Sequence, residues 1–110
     1  MLNINNLVVE NLKTNSGNSA KNQFYIEFKD NSNKRVVGFQ SYKTIMSIIV
    51  DGKLYINNNK DNYTNTTSKY FKKFLNEQRY YYDRKEFFKT IDNSEKSDII
   101  VSNESFVQVK

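Results

Sequence analysis

The 110-residue sequence contains no cysteine, no histidine and no proline, and the first two absences each remove a class of function. Without cysteine there are no disulfides, zinc fingers or thiol nucleophiles. Without histidine, the usual zinc sites are missing, as are most acid–base schemes that work near neutral pH. No spacing of aspartate and glutamate pairs an acid with a base or builds a metal cage. We therefore predict a protein that is not an enzyme and that uses no cofactor.

Long hydrophobic runs are also missing. No apolar stretch approaches the roughly 18 residues that a membrane span requires. The opening residues, MLNINNLVVENLK, carry polar side chains throughout and no basic leading segment, which does not resemble a signal peptide. We expect a cytoplasmic protein that does not bind membranes.

What the sequence has is asparagine, lysine and aromatic residues. Asparagine occurs 17 times and lysine 14 times, against one alanine and three arginines. The frequent residues have AT-rich codons, so this bias indicates an AT-rich genome rather than a function for asparagine. Since 37% of the residues are hydrophobic, the eight Phe and eight Tyr must supply much of the core. The length predicts one domain over residues 1–110.

The segment 66–78, TTSKYFKKFLNEQ, has the clearest helical rhythm in the chain. Its apolar residues recur at the spacing of one helix face: Tyr70, Phe71, Phe74 and Leu75. We expect this face to pack against strands. Thr66 or Thr67 is the predicted N-cap, because a threonine hydroxyl can accept a hydrogen bond from a free backbone N–H.

The chain before this helix is typical of β-strands joined by polar loops. Strands are predicted at 4–9, 23–29, 35–42, 44–50 and 53–56, with loops at 11–22 and 30–34. Gly38 is a candidate for a β-bulge. The Asp51-Gly52 pair lies between two apolar runs, which predicts a tight hairpin because both turn positions need positive φ.

Two interpretations are open for the residues after Gln78. Either Asp83 caps a second helix with Glu86 in a capping box, or the first helix continues through residues 79–82. The buried face of such a second helix would be Phe87, Phe88 and Ile91. After a turn at 93–97, residues 98–101 and 105–109 form two short strands or one hairpin, with 106–109 as an exposed edge.

The fold class that follows is α+β, with an antiparallel β-meander packed on one or two helices and a short C-terminal strand or hairpin. Strands are clustered rather than interleaved with helices, which argues against a parallel α/β sheet.

Three stretches carry a resemblance: FQSYKTI at 39–45, GKLY at 52–55 and YTNTTSKY at 63–70, followed by Phe74-Leu75. In this order they resemble a family of small uncharacterised proteins from phages, plasmids and their bacterial hosts, with SY-x-T followed by Y-[ST]-x-T-T-[ST]-K-[YH]. The resemblance covers about residues 37–78. It implies a gene of a mobile genetic element, acting in replication, transfer, transcriptional control or interference with host defence.

The net charge of +5 is concentrated on the predicted helices. Residues 66–89 hold seven basic and three acidic residues, whereas residues 90–110 hold two basic and four acidic. The predicted phosphate contacts in this segment are Lys69, Lys72, Lys73, Arg79, Arg84 and Lys85. Such a basic stripe can follow phosphates and release counterions on binding. The alternative is a solvated face in a lysine-rich protein.

Two more features bear on binding. Tyr80, Tyr81 and Tyr82 lie between basic residues, where exposed aromatics stack bases or anchor a protein interface. The alternative is that they pack inward. Lys34 and Arg35 lie at a predicted hairpin tip, where a winged-helix protein carries its wing and contacts phosphates or bases. An ordinary polar loop is the alternative there.

These features predict a non-enzymatic nucleic-acid-binding accessory protein of a phage or conjugative plasmid, with DNA as the expected partner. The alternative is a small phage-encoded inhibitor that binds a host protein or ribonucleoprotein complex of a defence system, as anti-CRISPR proteins do. A homodimer, through the tyrosines or an exposed edge strand, is also left open.

Overall fold

One antiparallel sheet with two helices on one face makes up the computed structural model, which describes residues 5–94 and 97–110. The elements are β1 (Asn5–Lys13), β2 (Ser19–Lys29), β3 (Arg35–Ser41), β4 (Thr44–Val50), β5 (Lys53–Asn57), a short 3-10 helix (Lys60–Asn62), α1 (Asn65–Glu77), α2 (Arg84–Asp92), β6 (Ile99–Val101) and β7 (Glu104–Val109). The strand order is β1-β2-β3-β4-β5-β7-β6. The predicted α+β class, the meander and the C-terminal hairpin are confirmed.

The hairpin at Asp51-Gly52 is confirmed by its backbone. Both residues have positive φ, 54° and 70°, as a two-residue turn between β4 and β5 requires. The predicted loop at 30–34 is also present between β2 and β3. There the Asp30 carboxylate accepts hydrogen bonds from the backbone N–H of Ser32 and Lys34.

The predicted loop at 11–22 is wrong. β1 continues to Lys13 and β2 begins at Ser19, leaving a short turn between them. The pairing is irregular here, because Asn11 lies opposite Phe24 whereas Lys13 lies opposite Ser19. This irregularity interrupts the alternation of apolar residues and hides the strands from a pattern search.

Gly38 pairs regularly with Ile26 and Ile48, so the bulge predicted at this residue is wrong. The irregularity of this ladder falls next to it, since Phe39 lies opposite Ser47 but Gln40 lies opposite Ile45. Gly38 is needed for a different reason. A Cβ at this position would lie 2.7 Å from the Ser47 carbonyl oxygen and 3.1 Å from Ile26 Cγ1.

The face of the sheet under the helices is an aromatic core. Phe39 of β3 has its ring 5.5 Å from that of Phe71 and 5.8 Å from that of Phe74, both on α1. The predicted apolar face of α1 is buried as expected: Tyr70, Phe71, Phe74 and Leu75. Of the predicted face of α2, Phe87 is buried and Phe88 and Ile91 are half-buried against the same core.

The opposite face of the sheet is closed by the sheet itself. Its buried residues form one cluster: Ile26, Phe28, Val36, Ile45, Ile48, Val101 and Phe106. Ile26 lies on β2 and Val101 on β6, although four strands separate β2 from β6 in the sheet. These side chains can meet only if the sheet curls, so that the β6–β7 hairpin covers the inner face.

The C-terminal hairpin is attached to the sheet through β7. β7 pairs with β5 through residues 106–109 but with β6 only through residues 104–106, so Val107–Val109 have a strand on one side only. Residues 106–109 are nevertheless buried or half-buried, so the exposed edge predicted there is wrong. The edges are β1 and the three-residue β6. The predicted turn at 93–97 includes residues 95 and 96, and the predicted first strand includes residue 4; these residues lie outside the described part of the chain.

Candidate nucleic-acid interface

α1 begins one residue earlier than predicted, and its N-cap is Thr64 rather than Thr66 or Thr67. The Thr64 hydroxyl accepts a hydrogen bond from the Thr67 backbone N–H at 3.3 Å. Thr67 is buried, and its hydroxyl is 2.7 Å from that of Ser41 on β3. All three threonines have capping chemistry; the structure places Thr67 against the sheet and uses Thr64 as the cap.

The approach to α1 is held by Asn57 at the end of β5. The Asn57 side chain donates to the Ile45 carbonyl and accepts from the Asn59 backbone N–H. The Tyr63 hydroxyl donates to the Asn57 carbonyl at 2.5 Å, and burial raises the pKa of Tyr63. This network is a positional anchor for α1 that sequence reasoning missed; the only local signal is the run of polar residues after an apolar strand.

α1 ends in a Schellman motif, which rules out the interpretation that it continues through residues 79–82. The Tyr80 N–H donates to the Leu75 carbonyl and the Arg79 N–H to the Asn76 carbonyl. Arg79 has a φ of 66°, in the left-handed region that glycine normally occupies at this position. Because the sequence has no glycine here, it carries no signal for the stop.

The second helix is the interpretation that is confirmed. The Asp83 carboxylate accepts a hydrogen bond from the Glu86 N–H at 3.1 Å, as an N-cap should. The Glu86 side chain pairs with Lys89. Six residues, 78–83, separate the end of α1 from the start of α2, which carries Arg84 and Lys85 in its first turn.

The three consecutive tyrosines have three different environments. Tyr82 is half-buried, with its ring 5.4 Å from that of Phe71 and its hydroxyl donating to Ser68 on α1. Tyr80 is half-buried and donates to the Gly52 carbonyl at 3.2 Å. Tyr81 is 78% exposed. Of the predicted stacking residues, only Tyr81 presents its ring to solvent.

The lysines of α1 lie opposite its buried face. Lys69 and Lys72 are exposed, and Lys73 is half-buried. The ammonium groups of Lys69 and Lys73 lie 5.4 and 5.9 Å from the centre of the Tyr70 ring. Lys73 also donates to the Lys13 carbonyl at 2.6 Å, so its neutral partners leave its charge uncompensated.

The start of α2 carries two further cations, Arg84 and Lys85. Ser68 and Lys72 lie one turn apart on the same side of α1, and Ser68 accepts the hydrogen bond from Tyr82 that places the start of α2. Arg84 has its guanidinium 5.0 Å from the centre of the Phe88 ring, and Lys85 is exposed. We call the combined set the helical basic surface: Lys69, Lys72, Lys73, Arg79, Arg84 and Lys85.

Lys34 and Arg35, at the β2–β3 hairpin, are in a different electrostatic state. Lys34 forms an ion pair with Asp51 at 2.6 Å, and this hydrogen bond raises the pKa of Lys34. Arg35 pairs with Glu27 at 2.9 Å, which lowers the pKa of the Glu27 carboxyl. Their charges are compensated by these carboxylates, unlike those of the helical basic surface, and we therefore do not include them in it.

An acidic groove borders this surface beside β1. It is lined by Glu10, Glu27 and Glu77, together with Tyr25 and Gln78 among others.

Within residues 5–94 and 97–110, no group of three or more His, Cys, Asp or Glu side chains could hold a metal ion. Neither helix in the described part of the chain has the length and apolarity that crossing a membrane requires.

The fold and its surface define a small α+β protein with a basic helical layer. By its sequence the chain belongs to the DUF8033 family, a family of unknown function whose model matches residues 7–98. No curated protein and no solved structure matches the chain significantly.

Proposed function

We propose that this protein binds nucleic acid, with DNA as its target, through the helical basic surface. The observation that supports this is a set of six cations carried by α1, α2 and the segment that connects them. None of these six takes part in the four ion pairs among the described residues. Uncompensated cations can release counterions from phosphates, whereas ion-paired cations must first give up a partner.

Phosphate contacts supply most of the binding free energy in this proposal, and Tyr81 supplies a stacking platform. Its exposed ring lies two residues after Arg79, so a backbone phosphate and a neighbouring base can be bound together. Stacking on an aromatic ring favours a single strand whose bases are unpaired. The resemblance to proteins of phages and plasmids supports a role as an accessory protein of a mobile genetic element, acting in the cytoplasm.

The test is fluorescence anisotropy of labelled single-stranded and duplex DNA, titrated with the protein at several salt concentrations. We expect log K to fall linearly with log salt concentration for the wild-type chain. Lys69→Glu/Lys72→Glu should weaken binding by about tenfold or more and reduce the salt slope by about two, one for each phosphate contact.

The matched control is Lys21→Glu/Lys110→Glu, which makes the same change in net charge at exposed residues outside the helices. This control should bind much more tightly than the α1 variant. Equal binding by the two variants would mean that net charge, and not the helical basic surface, attracts the DNA. Absence of binding at low salt would refute the proposal.

A second candidate is a protein-binding inhibitor of a host defence complex, and exposed Tyr81 is the observation that favours it. Tyrosine and arginine are enriched in the centres of protein interfaces, and Arg79 is its near neighbour. Tyr81→Ala separates the two functions. If it abolishes capture of a host complex and leaves DNA affinity unchanged, the inhibitor is favoured.

A further inference from the structure

β1 is a long apolar edge of the sheet. It is nine residues long, and within the described chain it pairs along one side only, with β2. Leu7, Val8 and Val9 in its centre are 52%, 48% and 50% exposed. The other edge strand, β6, has three residues and one exposed large apolar residue, Ile100. An exposed apolar edge is a template for pairing with another strand.

A bulge, one of the usual protections of a sheet edge, reaches the start of the apolar run of β1, and the charged residues lie outside this run. Asn6, with a φ of 54°, interrupts the ladder on one side, between the pairs Asn5–Lys29 and Val8–Glu27. Charged residues begin on the other side at Glu10. The bulge takes in Leu7, whereas Val8 and Val9 pair regularly with Glu27 and Ile26, and neither a charge nor a proline interrupts the three apolar residues.

We propose that β1 pairs with β1 of a second copy of this chain, antiparallel about a two-fold axis at Val8. A two-fold axis that continues an antiparallel sheet is perpendicular to it and keeps matching faces on the same side. One residue of β1 must then lie opposite its own copy, because a shift by one residue would place side chains on opposite faces.

The pattern of side chains selects Val8 as that residue. With Val8 opposite itself, Leu7 lies opposite Val9 in both halves. Asn6 has a positive φ and adds no extended pair with Glu10. Centring the pair on Val9 would place Val8 opposite Glu10, and centring it on Leu7 would place Val8 opposite Asn6. Of these three registers, only the one through Val8 places each of the three apolar residues opposite another apolar residue, which is how cross-strand pairs stabilise a sheet.

The size of this contact predicts how strong the dimer is, and its symmetry predicts where the helices of the two copies lie. A single pair of nine-residue strands buries less than the standard interface of about 1,600 Å², so we expect a dimer that dissociates on dilution. The perpendicular axis leaves the helices of both copies on the same side of the joined sheet. The proposal does not depend on nucleic-acid binding.

The test is sedimentation equilibrium of the full chain across the micromolar range. The wild-type chain should change from monomer to dimer as its concentration rises. Val8→Lys and Val8→Glu should each be monomeric, because like charges would lie directly opposite each other. An equimolar mixture of the two variants should dimerise again, since lysine then lies opposite glutamate.

Ile100→Lys is the matched control, because it places the same charge at an exposed apolar residue of the other edge; it should dimerise like the wild type. Circular dichroism of every variant verifies that it is folded. A wild-type chain that stays monomeric throughout would overturn the proposal. So would folded Val8 variants that dimerise alone, or a mixture of them that stays monomeric. If β1 paired only with strands of other proteins, the wild-type chain would stay monomeric in this experiment.

Discussion

The two faces of the sheet are closed in different ways, and the difference explains where the candidate interface lies. The buried residues of the face under α1 and α2 include six aromatic rings, whereas those of the inner face of the curl include two and are mainly aliphatic. A helix that covers a sheet has a second side, which meets solvent and can carry lysines. A strand such as β7, which covers the inner face of the curl, has no such solvent side, because its alternate residues face the core under the helices.

The largest effects should come from removing one aromatic ring from each face. The side chains of Phe71, under the helices, and Phe106, inside the curl, are both fully buried. Phe71→Ala and Phe106→Ala should each lower the free energy of unfolding by about 3–5 kcal/mol. Urea denaturation measures both. If Phe106→Ala lowered it by less than about 1 kcal/mol, the curl would not be a second core.

A smaller effect should follow from adding a methyl group at Gly38, where β3 packs closely against its two neighbouring strands. Gly38→Ala should lower the free energy of unfolding by about 1–3 kcal/mol, because the added methyl meets the Ser47 carbonyl and the Ile26 side chain. Adding Ile26→Val, which removes one of the contacting carbons, should restore only part of the loss. Full recovery in urea denaturation would show that the contact with the Ser47 backbone is unimportant.

The smallest effect is an increase in the free energy of unfolding, and it concerns Arg79, an exposed residue after the end of α1. Arg79→Gly should raise the free energy of unfolding by about 1 kcal/mol, because glycine adopts positive φ without strain. The same variant should weaken DNA binding by removing one phosphate contact. Arg79→Gln is the control: it should weaken binding equally without the gain in stability. Thermal denaturation measures the stability and fluorescence anisotropy the DNA binding. Equal stability of the two variants would contradict this prediction.

Sequence reasoning succeeded where the signal was local. The apolar stripe of α1, the Asp83 cap and the Asp51-Gly52 turn all depend on residues within a few positions of each other. It failed at the junction of β1 and β2, where irregular pairing breaks the alternation. It also placed an exposed edge at residues 106–109, because no short-range pattern tells which strand will lie beside β5.

The candidate site shows the same division. The positive charge of the helical segment was evident from composition, and the outward position of Lys69 and Lys72 from helical period. That Lys34 is neutralised by Asp51 was not predictable, because the two residues are 17 positions apart and meet through the arrangement of two hairpins. The role of the helical basic surface in binding remains a prediction for the experiments above.

By itself, the sequence determined the class of the fold, the helices and the sign of the charge they carry, because side-chain periodicity and capping act over single turns. Only the tertiary structure decided the curl of the sheet, its edges and which cations remain without an acidic partner. Those outcomes depend on pairing between distant strands, where burial and geometry select among alternatives that local patterns leave equal.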